Sequence, residues 1–395
     1  MSKTFCVLPW MHLATSASGS LRVCCNSTPG KNLIINYGDE PYKLYKDDMK
    51  EAWNSETYRT IRKQLLNNER PEMCERCFRE EDAGVRSSRQ SSNDKWAEDK
   101  IYTEDAPFDI KYVDLRLGNL CNLKCRMCNP YASNMWVKEW ASVEYALTPD
   151  MYKKLSKMDW PEEEKTWENL FAVAHTVDEI YLTGGEPTVI KKQQKLLDYF
   201  IDNGTAKDIR LKYNTNLIKL PDWLLNRWSY FKHVQLNCSI DAYGDLDHYI
   251  RHPSNWQTVV KNFENVIKLK NATVEIHCTV QMYNILRLPE LIRWASNYDL
   301  KTKDKPYNLK LHFNILNHPE YLNIRCLPER LKQQAKRQLL PYYEQLERLE
   351  SVVNYMYAED WSWRLHDFYK YTRTLDKSRN ENLFSIVPEF KHYVQ

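Results

Sequence analysis

The chain is short of several features that would each point to one class of protein. No apolar run approaches the roughly eighteen residues that a membrane-spanning helix needs, and a hydrophobic fraction of 43% beside a charged fraction of 28% is typical of soluble proteins. The net charge is only +3, from 56 basic and 53 acidic residues, which leaves no basic footprint for nucleic acid. The ten histidines show no metal-ligand spacing, and no Ser/His/Asp arrangement indicates nucleophilic catalysis. We therefore expect a soluble protein with neither a membrane nor a nucleic acid as partner.

The amino-terminal stretch FCVLPWMHLATSASGSLRVCC, residues 5–25, lacks the features of a signal peptide. His12 and Thr15 interrupt its apolar run, and only Lys3 charges the segment before it. Eleven cysteines without an export signal belong in a reducing compartment, where clustered cysteines hold metals or do redox chemistry more often than they form disulfides. We expect a cytoplasmic protein.

Glycine is scarce, with nine residues in 395, so each marks a place where the backbone needs positive φ or a close approach. Five glycines fall inside the motifs described below: Gly19, Gly118, Gly184, Gly185 and Gly244.

Three domains are predicted from changes of pattern along the chain, at residues 1–95, 106–327 and 328–395. The first is a loop-rich, cysteine-rich α+β module with one helix near residues 47–67, and the serine-rich stretch SSRQSSNDKWAEDK at 87–100 predicts a linker or an exposed connection after it. The last is a helical extension, predicted as a long charged helix that is broken or kinked at Pro341.

The middle domain alternates short apolar runs with helical patterns. Strands are predicted at 112–117, 179–184, 209–216, 233–241, 273–281 and 309–316. Repeated strand and helix units favour parallel pairing, in either an open doubly wound sheet or an incomplete barrel. In both folds, ligands bind at the carboxyl ends of the strands.

The sequence LGNLCNLKCRMCNP follows the first of these strands and spaces Cys121, Cys125 and Cys128 as C-x3-C-x2-C. A 4Fe-4S cluster normally takes four thiolates, so a loop with three leaves one iron open to another ligand. Zinc is the competing ion, but zinc sites usually combine two cysteine pairs, and no fourth ligand lies near this loop. The spacing therefore indicates an iron-sulfur cluster.

This loop, at the end of the first strand, resembles the radical S-adenosylmethionine (SAM) superfamily, and the resemblance implies a partial (β/α)6 TIM-like barrel. YLTGGEPTV, at the end of the second strand, is similar to the motif with which the family binds the SAM amino group, here Gly184, Gly185, Glu186 and Pro187. Two glycines let a backbone approach a ligand, and a carboxylate can pair with an ammonium group. A tight turn followed by a helix cap would explain the same letters.

Further SAM contacts are implied by the resemblance alone. They lie in YNTN, in CSIDAYGDLDHYIR, near the end of the fifth strand and beside the third motif cysteine: Asn214, Asn216, Ser239, Asp241, Arg251, Val280 and Met127. Arg251 suits a carboxylate because its planar fork binds both oxygens, although a surface ion pair would also use it. The sequence departs from the family pattern at residues 242–244, where a glycine would usually follow Asp241 directly.

The resemblance also implies an activity. SAM binds the open iron through its amino and carboxylate groups, and one electron cleaves it to methionine and a 5'-deoxyadenosyl radical that abstracts hydrogen from a substrate. We therefore expect an enzyme with a 4Fe-4S cluster and SAM as cofactors and a reducing partner such as flavodoxin or ferredoxin. The sequence identifies no catalytic side chain.

A second set of cysteines lies in the amino-terminal module. Cys6 and Cys24 are spaced as C-x12-G-x4-C around Gly19, and PEMCERC adds Cys74 and Cys77. The arrangement is similar to the twitch and SPASM auxiliary-cluster modules of radical SAM enzymes, in which a hairpin turns at the glycine. It implies a second 4Fe-4S cluster. A four-cysteine zinc site is the alternative, and Cys25 competes with Cys24 as the ligand.

The substrate has no motif of its own. The twitch-like module favours a peptide or protein side chain, while a small molecule or nucleoside, or a non-catalytic zinc or iron-sulfur scaffold protein, are the alternatives. The end of the last strand, HFNILNHPEYLNIR, offers His312, Asn314 and His318 as substrate contacts. The isolated cysteines 238, 278 and 326 are predicted to be buried thiols.

Overall fold

All six strands expected from the alternating pattern are present in the computed structural model, together with an amino-terminal hairpin. The structure describes residues 2–27, 33–35, 38–82, 86–301, 310–346 and 348–393. The strands within these ranges are His12–Thr15 (β1), Leu21–Arg22 (β2), Tyr112–Arg116 (β3), Glu179–Thr183 (β4), Arg210–Thr215 (β5), His233–Ser239 (β6), Ala272–Val280 (β7) and Lys310–Ile315 (β8).

Helices occupy most of the segments between the strands and the carboxyl-terminal region. In chain order they are Met49–Trp53 (α1), Glu56–Leu66 (α2), Glu75–Asp82 (α3), Ser88–Trp96 (α4), Trp140–Val143 (α5), Pro149–Ser156 (α6), Glu164–Val173 (α7), Gln194–Asp202 (α8), Asp222–Trp228 (α9), Asp245–Ile250 (α10), Trp256–Val266 (α11), Leu288–Lys301 (α12), Glu329–Leu339 (α13), Arg348–Ala358 (α14), Leu365–Arg379 (α15) and Leu383–Ile386 (α16). No helix in these ranges has the length and apolar character needed to cross a membrane.

One sequence prediction about helices needs correction, and one is confirmed. The segment at 87–100, predicted as a linker or an exposed connection, contains α4 behind a capping box in which Ser87 Oγ accepts from Gln90 N at 3.2 Å. The single helix predicted near 47–67 is two helices, since Ser55 takes an extended ψ of 160° between α1 and α2. The break predicted at Pro341 is confirmed by a short 3-10 turn between α13 and α14.

The chain divides into two compact units. The first contains Met1–Leu120, Lys157–Tyr213 and Asp222–Val234, and the second contains Cys121–Ser156, Asn214–Pro221 and Gln235–Gln395. The three predicted domain boundaries stay a prediction.

Strand order within each unit follows the order along the chain. In the first unit the order is β2-β1-β3-β4-β5, with β1 antiparallel to β2 and parallel to β3, and with β3, β4 and β5 parallel. In the second unit the order is β6-β7-β8, with β7 and β8 parallel. A doubly wound sheet would reverse its strand order at a switch point. The open α/β fold of a partial (β/α)6 barrel, with a helical region after β8, is confirmed.

The strand β7 buries one face more deeply than the other. In β7, the side chains of Val274, Ile276, Cys278 and Val280 are fully buried, while Glu275, His277 and Thr279 alternate with them. The prediction that the isolated cysteines are buried thiols is confirmed, because Cys238, Cys278 and Cys326 are each 0% exposed.

Candidate metal centres

The loop that carries Cys121, Cys125 and Cys128 is held in shape by its own neighbours in the second unit. Cys128 N donates to Cys125 O at 2.9 Å, and the indole nitrogen of Trp136 donates to the same oxygen at 3.0 Å. Cys121 N donates to Asn134 Oδ1 at 3.1 Å. A loop with these bonds fixes the directions of its cysteines without help from regular secondary structure.

The backbone segment at residues 250–252 is hydrogen-bonded to the same loop. Lys124 N donates to His252 O at 2.7 Å, and Arg126 N donates to Ile250 O at 2.8 Å. The segment that contains Arg251 therefore lies directly against the loop between the motif cysteines.

The three motif thiols influence one another as cluster ligands would. A hydrogen bond with Cys128 lowers the pKa of Cys125, and the charge of Arg251 lowers it further. The same bond raises the pKa of Cys128, and so do burial and the charges of Cys125 and Cys121. Arg251 Nη1 lies 3.9 Å from Cys125 Sγ, so a cation stands beside a sulfur that must become a thiolate. This donor set fits a 4Fe-4S cluster held by three cysteines.

Asp241, predicted as a SAM contact, forms an ion pair with Arg251 in this structure. It is fully buried, and its Oδ2 accepts from Arg251 Nε at 2.8 Å while its Oδ1 accepts from Thr279 N at 2.6 Å. Burial raises the pKa of Asp241, although Arg251 and Thr279 oppose the rise. Both oxygens are thus engaged by protein groups, and Asp241 orients the guanidinium beside Cys125.

The other predicted SAM contacts of this unit lie at strand ends and in the cluster loop. Asn216 Nδ2 donates to Asn122 Oδ1 in the loop at 2.8 Å, whereas Asn214 Oδ1 accepts from Asn237 Nδ2 on β6 at 2.8 Å. Ser239 ends β6 and Met127 lies between the last two motif cysteines, both half-buried, and Val280 ends β7 with a fully buried side chain. Their roles in SAM binding stay predictions.

Gly184 and Gly185, in the first unit, lie against the loop that follows β3. Gly184 has a φ of +130°, and a Cβ there would come within 2.9 Å of Gly118 O. A Cβ on Gly185 would lie 2.1 Å from Leu120 O, a distance that no side chain tolerates. The two glycines are therefore required for this close approach, next to the residue that precedes Cys121.

The rest of this motif forms the turn that sequence reasoning left open as an alternative. Glu186 is 1% exposed, and its Oε1 accepts from Thr188 N at 3.1 Å and from Thr188 Oγ1 at 2.7 Å. Pro187 begins the short 3-10 turn that Glu186 caps. Glu186 N also donates to Leu120 O at 2.8 Å, so the turn and the glycines fix the segment at the end of β4.

The amino-terminal cysteines form a second group, in the first unit. The strands β1 and β2 make the predicted hairpin, with Gly19 at a φ of +77°. Burial raises the pKa of Cys6 and of Cys24 to about 12, and the charge of Cys77 contributes to both. Burial also raises the pKa of Cys74, and the charges of Cys24, Cys6 and Cys77 raise it further. Such mutual influence requires that the four sulfurs lie near one another.

Cys25 has a different neighbour from Cys24. Burial raises the pKa of the Cys25 thiol, and the charge of Asp114 on β3 and a hydrogen bond to it raise the pKa further. Cys24, by contrast, interacts with Cys6 and Cys77. This arrangement favours Cys24 as the fourth metal ligand.

Arg126, inside the cluster loop, is an important residue that sequence reasoning missed. It is fully buried, its Nη2 lies 2.6 Å from both Asp376 Oδ1 and Glu381 Oε2, and its Nε donates to Tyr249 O at 2.8 Å. Its guanidinium lies 3.6 Å from the centre of the Tyr249 ring, and Tyr371 OH donates to its carbonyl oxygen at 2.6 Å. The carboxyl-terminal segment thus anchors the loop between Cys125 and Cys128.

The substrate residues proposed on the last strand have unequal surroundings. Asn314 and His318 are exposed. His312 is partly buried, and its ring lies 4.6 Å from that of His277 on β7. Glu275 lies beside both histidines. The alternation E-x-H in VEIHC was the sequence signal for Glu275 and His277, and it was missed.

Comparison with known proteins agrees with these groups of residues. The model of the radical SAM superfamily matches residues 115–295, and the model of SPASM, an iron-sulfur cluster-binding domain, matches residues 6–78. Molybdenum cofactor biosynthesis protein 1 of Dictyostelium discoideum is 28% identical over 171 residues, 43% of this chain and 24% of its own length. Mycofactocin maturase MftC of Mycobacterium tuberculosis is 27% identical over 120 residues, 30% of each chain. The chain therefore matches about a quarter to a third of the length of these relatives.

Among solved structures, that of Streptococcus suis SuiB bound to S-adenosylmethionine is similar to this chain at 12% identity and a TM-score of 0.37, over 80% of this chain and 66% of that one. A structure of SuiB bound to precursor peptide SuiA gives 12% identity and a TM-score of 0.35, over 84% of this chain and 70% of that one.

Proposed function

Since the chain belongs to the radical SAM superfamily and carries an amino-terminal SPASM domain, we propose that it cleaves SAM to a 5'-deoxyadenosyl radical and abstracts hydrogen from a peptide or protein side chain. Membership of this family identifies the chain as an enzyme with SAM and iron-sulfur clusters as cofactors. It is the reason that we favour catalysis over the alternative of a non-catalytic scaffold protein. When bound, the cluster and SAM supply the electron transfer and the radical.

The observation that carries the proposal is the pairing of the three-cysteine loop with Arg251. Cys121, Cys125 and Cys128 would hold a 4Fe-4S cluster through three thiolates. Arg251 donates through Nε to Asp241 and through Nη1 to Cys125 Sγ, so Nη2 is the group that would bind a carboxylate such as that of SAM. Asp241 is a positioning residue that acts through this guanidinium.

The remaining predicted residues bind and orient SAM. Gly184 and Gly185 keep the end of β4 free of side chains, so that its backbone can approach the SAM amino group beside Glu186 and Pro187. The other contacts are those assigned from the family pattern: Asn214, Asn216, Ser239, Val280 and Met127.

The four amino-terminal cysteines, Cys6, Cys24, Cys74 and Cys77, hold an auxiliary 4Fe-4S cluster. Support comes from the SPASM match over residues 6–78 and from the mutual influence of the four thiols. We propose that the enzyme is cytoplasmic and uses a reductant such as flavodoxin or ferredoxin. The cysteines that would bind the clusters must stay reduced, and the cytoplasm keeps thiols reduced.

The substrate class rests on the SPASM module and on the similarity to a maturase. The alternative substrate class, a small molecule or nucleoside, has its own support in the longer match to a molybdenum cofactor biosynthesis protein. A perdeuterated short peptide and a perdeuterated nucleoside, each incubated with SAM and the reduced enzyme, separate the two. The proposal expects deuterium in 5'-deoxyadenosine from a peptide, and deuterium from a nucleoside alone would contradict the peptide assignment.

The activity itself is tested on anaerobically reconstituted protein. We expect roughly eight irons per chain, from two four-iron clusters, and 5'-deoxyadenosine on reduction with SAM, measured by liquid chromatography and mass spectrometry. Cys121→Ala should abolish this product. Cys326→Ala is the matched control, because Cys326 is a buried thiol outside both cysteine groups and its loss should leave the product unchanged.

A further inference from the structure

Two neighbouring strands of the second unit bring a carboxylate and two imidazoles together. We propose that Glu275, His277 and His312 form a binding site for a divalent transition-metal ion, made by residues other than the cysteines. The inference does not rest on the proposed function, since it concerns no iron-sulfur ligand and no SAM contact.

The strand register places these three side chains on one face. His277 on β7 pairs with His312 on β8, and Glu275 lies two residues before His277 on the same strand. Residues two apart in a strand point to the same side. The intervening residue Ile276 is fully buried on the opposite face.

The ligand atoms already have the spacing of a metal site. Glu275 Oε2 lies 3.5 Å from His277 Nε2 and 3.3 Å from His312 Nε2, and all three atoms lie within 4.8 Å of one another. Two ligand atoms about 2.05 Å from a tetrahedral ion are about 3.3 Å apart. A metal therefore needs only small side-chain movements to enter.

Outer contacts orient the carboxylate as they do in known metal sites. Gln235 Nε2 donates to Glu275 Oε2 at 3.1 Å and lies 3.2 Å from Asn237 Oδ1. A ligating carboxylate is usually held by such a second hydrogen bond. Lys310 Nζ lies 3.8 Å from Glu275 Oε1, but that side chain is 62% exposed and free to turn toward water.

The position of His312 suits a metal ligand. Its Nε2 is sealed from solvent and makes no hydrogen bond of acceptable geometry in the described part of the chain. The same nitrogen lies 3.3 Å from Glu275 Oε2, so one ion could be shared between the two atoms.

A second group of two histidines and a glutamate in the same unit, His248, His252 and Glu381, is less suited to a metal ion. His252 Nδ1 lies 2.6 Å from Glu381 Oε1, but Glu381 Oε2 already pairs with the buried cation of Arg126. His248 Nδ1 contacts Ser254 O. That group is a closed network beside a positive charge, and a metal ion would have to displace it.

Two histidines and one carboxylate are the ligands of catalytic zinc sites and of ferrous iron sites with open positions. Three protein ligands leave room for an oxygen donor from a second molecule. Two amides of β6, Gln235 and Asn237, continue the polar row from Glu275. The site would therefore take a zinc or ferrous ion together with a small oxygen ligand.

Zinc titration of the anaerobic holoenzyme, with both clusters in place, tests the site. Calorimetry should show one zinc bound per chain beyond the clusters, and zinc X-ray absorption should show nitrogen and oxygen ligands only. Glu275→Gln, His277→Gln and His312→Ala should each weaken binding by about tenfold or more, since loss even of outer partners costs 10- to 100-fold. His175→Ala, which removes an exposed histidine of the first unit, should bind zinc as the wild type does.

Iron content and the visible cluster spectrum show that each variant is folded and loaded. Sulfur ligands around the zinc would mean that the ion had entered a cysteine site, and would overturn the proposal. So would absence of zinc binding by the wild type, or unchanged affinity in the three variants.

Discussion

Replacing Arg126 by methionine should destabilise the second unit and release the SAM-binding cluster. The buried guanidinium neutralises Asp376 and Glu381, whose side chains are only 15% and 10% exposed. Removing one partner of a buried ion pair costs about 3–5 kcal/mol, because the other charge stays buried. We expect the lower end of this range, because His252 still contacts Glu381 in the variant.

Loss of Arg126 should also disturb the loop of Cys121, Cys125 and Cys128, because Arg126 lies inside it. Only Arg126 and Met127 separate Cys125 from Cys128, so a shift of Arg126 moves two of the proposed cluster ligands. We expect iron to fall from roughly eight to roughly four per chain, measured together with the denaturant midpoint by tryptophan fluorescence. Arg126→Lys keeps the charge but loses the planar fork, so its loss of stability should be intermediate.

A matched control is available in an exposed ion pair of the first unit. Arg59 and Asp105 are 2.6 Å apart with side chains 50% and 63% exposed, so Arg59→Met should cost no more than about 1 kcal/mol. Wild-type midpoint and iron content in Arg126→Met would refute the anchoring role of this arginine.

Two other predictions concern the first unit. Cys24→Ala should retain roughly four of eight irons, whereas Cys25→Ala should retain all of them, and the opposite result in iron analysis would make Cys25 the ligand. Burial raises the pKa of Asp114 to about 6, above its unfolded value of about 3.9, so the folded state binds this proton more tightly. The resulting stabilisation is complete below about pH 3.9 and lost as the pH rises through about 6. Asp114→Asn should therefore be more stable than the wild type by at most about 3 kcal/mol at pH 8, with a gain that vanishes near pH 4 in denaturation series. A gain independent of pH would show that this carboxyl does not titrate as described.

Local signals made much of the molecule predictable from sequence. The strands β3 to β8 follow apolar runs, the hairpin turns at Gly19, and the cysteine spacings indicate both groups of proposed metal ligands. Each of these signals is contained in a few neighbouring residues, so no knowledge of the fold is needed to read them. The helix α4 was also readable, since Ser87 and Gln90 form a capping box, but its serine content resembled that of a linker.

Other features depend on partners far away in the chain. Arg126 pairs with Asp376 and Glu381, which are 250 and 255 residues distant. The difference between Cys24 and Cys25 depends on Asp114, on a strand almost ninety residues later. His277 and His312 meet only through the register of β7 and β8. Sequence spacing contains no information on such contacts until the strands are placed.

Formation of 5'-deoxyadenosine from SAM by the reconstituted, reduced protein tests the central claim most directly. The account predicts that the wild type and Cys326→Ala form it and that Cys121→Ala does not. Product from Cys121→Ala at the wild-type rate, or no product from wild-type protein with both clusters in place, would contradict it.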